Sequence, residues 1–236
     1  MPTTDARMSL PSRSYSVVLF DFDGTIADTV PLIMESFQYV FTLLTGAPGD
    51  PQYLLSTIGE PLERTFLVLP EDQREEAMHL YFRYNEEKLA SGVGLFIGMV
   101  GMLESIRRTG ACTGIVTSKR RSVASFTIDQ FGLGGYFDVS ITKESTVRHK
   151  PHPDPILKAL EDLGQKFGLR TPIDRSDVLF VGDSIHDLRC ARNAGVDVAM
   201  VDWTYMDKEV LRGEKPEHWV MTAGEIAAMA KTFSKP

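Results

Sequence analysis

The chain has 236 residues, of which 43% are hydrophobic and 24% are charged. These values are typical of a globular protein with one large domain, or with a core domain that carries a smaller insert. The formal net charge of −7 argues against a nucleic-acid-binding protein, because such binding depends on a basic surface.

The amino-terminal residues 1–15 contain no apolar core of a signal peptide, and we expect them to form a mobile tail. No apolar run approaches the ~20 residues that a membrane-spanning helix needs, so no membrane partner is expected. Cys112 and Cys190 each lie in an apolar or helical pattern. This pattern predicts two reduced core thiols in a cytoplasmic protein, with a disulfide or a nucleophilic cysteine as the alternative.

Short apolar runs alternate with helical patterns along most of the chain. The first run, residues 17–20, is wholly apolar and partly β-branched, as is typical of a strand buried on both faces of a parallel sheet. The later runs are residues 112–116, 137–141, 178–181 and 196–201, and the helical patterns are residues 99–109, 123–131, 155–167 and 187–194. This alternation predicts a doubly wound α/β sheet with helices on both faces.

One stretch interrupts the alternation with helices alone. Apolar residues between positions 30 and 44 recur at helical spacing, with Asp28 or Thr29 as the N-cap and Gly46 after the end. A second amphipathic helix is predicted over residues 71–89. The predicted units are an α/β core domain, residues 16–28 and 94–236, and an all-helical insert, residues 29–93.

Two pairs of aspartates follow predicted strands. Asp21 and Asp23 come directly after residues 17–20, where ligands of open α/β sheets bind, and Gly24 lets the chain turn sharply there. Asp183 and Asp187 follow the run 178–181. Two neighbouring carboxylates repel each other unless a cation lies between them, so the two pairs predict an all-oxygen site for Mg²⁺. The alternatives are an acidic turn for the first pair and a helix cap for Asp187.

Two further segments lie between the acidic pairs. Thr117, Ser118 and Lys119 follow the run 112–116 with hydroxyls and backbone donors suited to a phosphoryl oxygen. Lys150 lies in a proline-stiffened loop, His-Lys-Pro-His-Pro-Asp-Pro. Each segment alone is equally compatible with a strand-end turn or a solvated lysine, whereas their order between the acidic pairs favours a phosphoryl site.

These four segments, in content and order, resemble the signature motifs of the haloacid dehalogenase-like hydrolase superfamily. The resemblance covers nearly the whole chain from Val17 and implies a Rossmann-like parallel-sheet core with a small all-helical cap domain. It implies that Asp21 is the nucleophile and Asp23 the general acid and base. It also implies that Thr117 and Lys150 hold the transferring phosphoryl group. The metal ligands implied for Mg²⁺ are Asp21, the backbone carbonyl of Asp23 and Asp183, with Asp187 in support.

Two segments, residues 19–29 and 57–64, look like those of phosphoglycolate phosphatases and the related small inorganic pyrophosphatases. We expect a small phosphorylated substrate, because the helical cap is small, and a monomer or homodimer. Gly59 would let a loop of the cap approach the cleft, and Arg64 would pair with a substrate carboxylate or second phosphate, unless it is a solvated helix arginine. The substrate contacts expected beyond the catalytic set are Gly24, Thr25, Ser118, Lys119, Gly59 and Arg64.

Three alternatives stay open at this point. A sugar-phosphate mutase of the same superfamily shares the Asp-x-Asp-Gly motif and the acid–base aspartate. A catalytically idle binding domain of the same fold is expected to lack Asp21, Asp23 or Lys150, and all three are present. An interaction module that works through the cap helices explains none of the acidic pairs.

Overall fold

The structure is a computed structural model that describes residues 13–234. Its strands and α-helices, in chain order, are β1 (Val17–Phe20), β2 (Ala27–Asp28), α1 (Val30–Thr45), α2 (Pro51–Ser56), α3 (Glu71–Gly92), β3 (Gly94–Leu95), α4 (Met99–Thr109), β4 (Cys112–Val116), α5 (Arg121–Gln130), β5 (Val139–Ile141), α6 (Asp154–Phe167), β6 (Val178–Gly182), α7 (Ile185–Ala194), β7 (Asp197–Val201), α8 (Lys208–Gly213), β8 (His218–Val220) and α9 (Ala223–Ala228). Within the described range, none of the helices combines the length and the apolar character that a bilayer crossing requires.

Six strands form one parallel sheet in the order β5-β4-β1-β6-β7-β8, which confirms the predicted α/β class. The first strand, β1, lies in the middle, and its last residue, Phe20, pairs with Ile115 of β4 and Val181 of β6. The chain reverses its direction of winding beside β1, so the crevice where such sheets bind ligands lies at this point. The residues that follow these three strands therefore meet at one edge of the sheet.

The strands are buried on both faces, which explains why their sequences are continuously apolar. Side chains alternate along β1, so that Val18 and Phe20 join one apolar cluster with residues of α4 and α9. Val17 and Leu19 join the other cluster with residues of α6 and α7. Cys112 and Cys190 are buried in this second cluster without a disulfide between them, as predicted.

The segment between β2 and β3 contains only helices, as predicted for residues 29–93. Its helices pack around an apolar cluster of their own, in which the rings of Phe37 and Tyr81 have centroids 5.1 Å apart. The first helix, α1, begins after Thr29 and ends at Gly46, which has a left-handed backbone with φ of 78°. The two-residue strands β2 and β3 pair antiparallel at the two ends of the segment. Sequence reasoning missed them because two residues show no periodicity.

The predicted tail needs a correction at its end. Residues 1–12 lie outside the described part of the chain, but Tyr15 is fully buried and forms a parallel bridge with Ala230. Its hydroxyl lies 2.6 Å from both Asp197 Oδ2 and His218 Nε2. Because a hydroxyl has one hydrogen, Tyr15 donates to Asp197 and accepts from His218. An isolated tyrosine gives no local signal for partners more than 180 residues away in sequence.

The variant Tyr15→Phe tests this anchoring. It keeps the ring and removes the hydroxyl, so we expect the free energy of unfolding to fall by about 1–2 kcal/mol, because His218 Nε2 loses its partner and Asp197 Oδ2 keeps only Arg13 among the described residues. Urea denaturation measures the change. The matched control is Tyr205→Phe, because the Tyr205 hydroxyl also donates to an aspartate, Asp28, but its side chain is 43% exposed. Its effect should stay below about 0.5 kcal/mol, and equal losses in the two variants would contradict the anchoring role.

Candidate active site

Three carboxylates that come from two neighbouring strand ends meet below the crevice. Asp21 follows β1, Asp183 follows β6, and Asp187 lies in the first turn of α7. One oxygen of each lies within 4.8 Å of the others, and all three residues are almost fully buried. The sequence prediction that both acidic pairs contribute to one site therefore agrees with the placement of these three.

Lys150 is the cation within this cluster. Its Nζ donates hydrogen bonds of 2.7 Å to Asp21 Oδ1 and to Asp187 Oδ1, and its side chain is buried. Burial alone would lower the pKa of the Lys150 ammonium, but Asp187 and Asp21 raise it above its usual value, so the group stays charged. The resemblance implied that Lys150 holds a phosphoryl group, whereas in the structure it holds two carboxylates and does not line the cavity.

One ammonium does not balance three buried carboxylates. Burial, followed by the charge of Asp187, raises the pKa of Asp21 to about 7. Burial and the charges of Asp187 and Asp21 raise the pKa of Asp183 well above its usual range. In addition, Asp183 Oδ2 is buried and has no hydrogen-bond partner within the described residues. An all-oxygen donor set with an unpaired buried oxygen fits a hard divalent cation.

Asp187 belongs to a capping box and to the carboxylate cluster at the same time. Its Oδ2 accepts hydrogen bonds from the Ser184 amide, 3.0 Å, and the Ser184 hydroxyl, 2.6 Å, in a capping box at the start of α7. Its Oδ1 accepts from Lys150 within the carboxylate cluster. The helix cap therefore fixes the side chain that contacts the lysine.

Two glycines leave room for the carboxylates. Gly24 has φ of +80°, and a Cβ there would lie 2.4 Å from Asp183 Oδ2. A Cβ on Gly182 would lie 2.4 Å from the Cβ of Asp187. The hydroxyl of Thr25 donates to Asp183 Oδ1 over 3.3 Å. Gly24 and Thr25 were predicted to contact substrate; in the structure both lie against Asp183 and do not line the cavity, and their contact with substrate stays a prediction.

A cavity of about 90 Å³ lies between the sheet edge and the helical segment. The sheet edge contributes Asp21, Asp23 and residues 117–119 to its lining. The segment contributes a mostly apolar surface with a few polar groups. The lining residues of the segment are Ile33, Phe37, Thr57, Ile58, Gly59, Glu60, Leu62, Thr65, Tyr81, Phe82 and Asn85.

Asp23 lies at the cavity and apart from the three clustered carboxylates. Its Oδ1 accepts hydrogen bonds from Thr29 Oγ1, 2.6 Å, and Lys119 Nζ, 2.7 Å. These two donors fix the side chain and leave Oδ2 for other partners. Lys119, predicted to contact substrate, lines the cavity while it holds Asp23. Thr117 also lines the cavity, and its hydroxyl accepts from the Lys119 amide over 3.1 Å.

The loop around Gly59 contacts the sheet edge directly. The Ser118 hydroxyl donates to the Gly59 carbonyl over 2.6 Å, and a Cβ on Gly59 would lie 3.0 Å from Ser184 Oγ. Gly59 therefore permits the close approach that was predicted. Arg64 does not line the cavity. Its Nε donates to Glu60 Oε2 and its side chain is 62% exposed, so the structure corresponds to the alternative of a solvated arginine.

Several cavity residues, Tyr81, Asn85 and Lys143 among them, were missed by sequence reasoning. Tyr81 and Asn85 lie four residues apart on α3, a helical spacing that could have identified them. Arg120 and Lys143 also line the cavity and contact the helical segment. The guanidinium carbon of Arg120 lies 3.6 Å from the Phe82 ring centroid, and Lys143 Nζ pairs with Glu63. These partners are distant in sequence and carry no local motif.

Comparison with known proteins agrees with this geometry. Residues 18–201 match the family model described as haloacid dehalogenase-like hydrolase. The chain is 34% identical to the pyrophosphatase PpaX of a Bacillus cereus strain, with 93% of this chain and 98% of that protein covered. It is 31% identical to the pyrophosphatase PpaX of Bacillus velezensis, with 92% and 97% covered.

A solved structure with the same fold is described as a predicted phosphoglycolate phosphatase from Haemophilus somnus. It has a TM-score of 0.77 and 23% identity, with 90% of this chain and 96% of that chain covered. The family and branch that the motifs predicted are therefore confirmed, and the chain belongs to the haloacid dehalogenase-like hydrolase family.

Proposed function

We propose that this hydrolase is a Mg²⁺-dependent phosphatase that acts on a small phosphorylated metabolite through an aspartyl-phosphate on Asp21. The observation that carries the proposal is the cluster of Asp21, Asp183 and Asp187 around Lys150 at the base of a small cavity. Relatives named as pyrophosphatases, and a similar fold described as a predicted phosphoglycolate phosphatase, support a substrate with one of these two kinds of bond, a phosphoanhydride or a phosphoester.

The residues that would hold Mg²⁺ are Asp21, Asp183 and the backbone carbonyl of Asp23. Asp187 supports them through Lys150, which it shares with Asp21. When bound, the ion supplies positive charge that offsets the repulsion between a carboxylate and a phosphate. Magnesium is the cation of choice because it takes oxygen ligands and is usually bound by one or two carboxylates, with the remaining positions for water and substrate.

Asp21 lines the cavity and is the nucleophile of the proposed reaction. Its carboxylate forms an O–P bond while the bond from phosphorus to the leaving oxygen breaks. The hydrogen bond from Lys150 to Oδ1 fixes the orientation of this carboxylate. Water then attacks the phosphorus of the aspartyl-phosphate, which releases inorganic phosphate and restores Asp21.

Asp23 is the proton carrier of both steps. It protonates the leaving oxygen in the first step and takes a proton from the attacking water in the second. Thr29 and Lys119 hold its Oδ1, which leaves Oδ2 to exchange the proton at the cavity. Such positioned acid–base catalysis contributes about 10²–10⁴ to the rate.

The helical segment limits the size of the substrate. The contact between Ser118 and the Gly59 carbonyl joins the sheet edge to the segment, and the cavity beside it has a volume of about 90 Å³. Residues 29–93 therefore act, in this proposal, as a cap domain that opens for a small substrate and then excludes bulk water. A phosphoprotein or nucleic acid would need an open cleft.

The variant Asp21→Asn tests the nucleophile. We expect turnover of p-nitrophenyl phosphate with Mg²⁺ to fall at least about 10³-fold, because an amide does not form the acyl-phosphate. The thermal midpoint should not fall, which separates chemistry from folding. The matched control is Asp174→Asn, because Asp174 precedes β6 and so lies at the opposite edge of the sheet. Turnover retained by the Asp21 variant would exclude the nucleophile assignment.

Magnesium binding should depend on pH through Asp21. In the metal-free protein, the pKa of Asp21 is raised from 3.8 to about 7, first by burial and then by Asp187. The folded state then binds more protons than the unfolded state. The contribution of Asp21 to the free energy of unfolding is therefore fully present below the unfolded pKa and is lost as pH rises to about 7. Because Mg²⁺ competes with this proton, the ion should raise the thermal midpoint more at about pH 8 than at about pH 5.5.

Thermal unfolding with and without Mg²⁺ measures this difference, and Asp183→Asn is the control that should lose the stabilisation by the ion. Equal stabilisation at both pH values would contradict the assignment of the cluster as the metal site.

EDTA should abolish activity and added Mg²⁺ should restore it.

A substrate screen distinguishes the proposed phosphatase from the mutase. We expect kcat/KM to be highest for small substrates such as pyrophosphate and phosphoglycolate, and lower for nucleotides, because the cavity is small. Release of inorganic phosphate is the measured product. Interconversion of sugar 1- and 6-phosphates without phosphate release would replace the phosphatase with the mutase.

A further inference from the structure

The helical segment presents two polar side chains to the cavity from one helix. Tyr81 and Asn85 are four residues apart on α3, which places them on the same face, and both line the cavity. Their exposed fractions are 9% and 5%. Most of the other lining residues of the segment are apolar, and within the described residues it contributes no lysine or arginine. The segment therefore offers a substrate hydrogen-bonding groups rather than cationic ones.

Tyr81 has a fixed ring and an unused hydroxyl. Its ring packs against those of Phe37, Phe66 and Phe82, with centroid distances of 5.1, 6.3 and 5.7 Å. Its hydroxyl makes no hydrogen bond with any residue in the described range. Burial and the negative charge of Asp23 raise the pKa of Tyr81, so the phenol stays protonated and remains a donor beside the proposed acid–base group. A hydroxyl that lines the cavity without a protein partner is available to donate to a ligand.

Asn85 has a fixed orientation and an unused acceptor. Its Nδ2 donates to Ser36 Oγ over 3.0 Å, and the Ser36 hydroxyl donates to the Leu32 carbonyl over 2.6 Å. Because the only hydroxyl hydrogen of Ser36 goes to Leu32, Ser36 can only accept from Asn85. The amide is therefore oriented with Oδ1 away from Ser36, and this oxygen accepts no hydrogen bond within residues 13–234.

We propose that Tyr81 and Asn85 recognise the leaving group of the substrate, and that they select one whose oxygen carries a hydrogen. The Tyr81 hydroxyl donates to that oxygen, and Asn85 Oδ1 accepts its hydrogen. An O–H of this kind belongs either to an alcohol within an organic phosphate ester or to a protonated second phosphoryl group, as in pyrophosphate. This inference rests on the proposed phosphatase function and names the substrate chemistry of the same site.

Two substrate pairs measure the selection. In the first pair, 2-hydroxyethyl phosphate and ethyl phosphate differ only in the hydroxyl of the leaving group. In the second pair, pyrophosphate carries the P–O–H group, and p-nitrophenyl phosphate has a leaving group of similar acidity without it. The wild-type enzyme should prefer the O–H-bearing member of at least one pair. In Tyr81→Phe the ratio of kcat/KM within that pair should fall about tenfold, as expected for one lost hydrogen bond.

The controls separate recognition from structure. Tyr81→Phe keeps the packed ring, so the fold is retained. Tyr84→Phe is the matched control on the same helix, because the Tyr84 hydroxyl donates to Glu35 outside the cavity, and both ratios should stay at their wild-type values. Asn85→Ala should shift the same ratio in the same direction as Tyr81→Phe. If Asn85→Ala does not fold, Tyr81→Phe alone decides the question.

The outcomes distinguish failure of the leaving-group role from failure of the phosphatase function. Loss of preference in the first pair supports an alcohol-bearing ester, and loss in the second pair supports a protonated phosphoryl group. If the wild-type enzyme turns over these substrates with Mg²⁺ and Tyr81→Phe leaves both ratios unchanged, the leaving-group role is overturned while the phosphatase function stands. If the wild-type enzyme hydrolyses none of the four, the phosphatase function fails, and the role of Tyr81 fails with it.

Discussion

The arrangement of the site depends on the confinement of three carboxylates with a single ammonium. Asp21, Asp183 and Asp187 are buried at one sheet edge, and Lys150 bridges two of them. Buried carboxylates without counter-charge are costly, and this cost is visible in the raised pKa values of Asp21 and Asp183. Such a cluster is stable only with a proton or a cation. The same excess of negative charge is the basis on which we assign a divalent ion to this cluster.

The sheet makes this confinement possible because its strands are held in register by two apolar layers. Phe20, Ile115 and Val181 are paired across the three central strands, so the residues that follow them lie at one level. Backbone contacts then refine the positions, because neither Gly24 nor Gly182 leaves room for a Cβ beside the carboxylates. Local side-chain bonds, such as that from Thr25 to Asp183, complete the arrangement.

Sequence reasoning predicted the parts of the molecule that have local signals. The buried strands were identified by apolar runs, and α1 by its spacing and its terminal Gly46. Asp21 and Asp183 were identified because they directly follow strands, and Asp187 because it opens the next helix. The anchoring of Tyr15 and the ring contact between Arg120 and Phe82 depend on partners far away in sequence. A single sequence carries no periodicity or spacing that reports such contacts. Arg64 shows the converse, because a charged residue near a motif need not enter the cavity.

The two sides of the cavity come from different segments of the chain, so they can be engineered separately. The groups proposed for bond breaking come from strand ends and neighbouring loops of the core, whereas the polar groups on the opposite side of the cavity come largely from α3 and the loop around Gly59. Substitutions on one face of α3 can therefore retarget the enzyme to different compounds without altering the reactive groups. A library restricted to positions 81, 82 and 85 would explore new specificities while the supporting sheet remains intact.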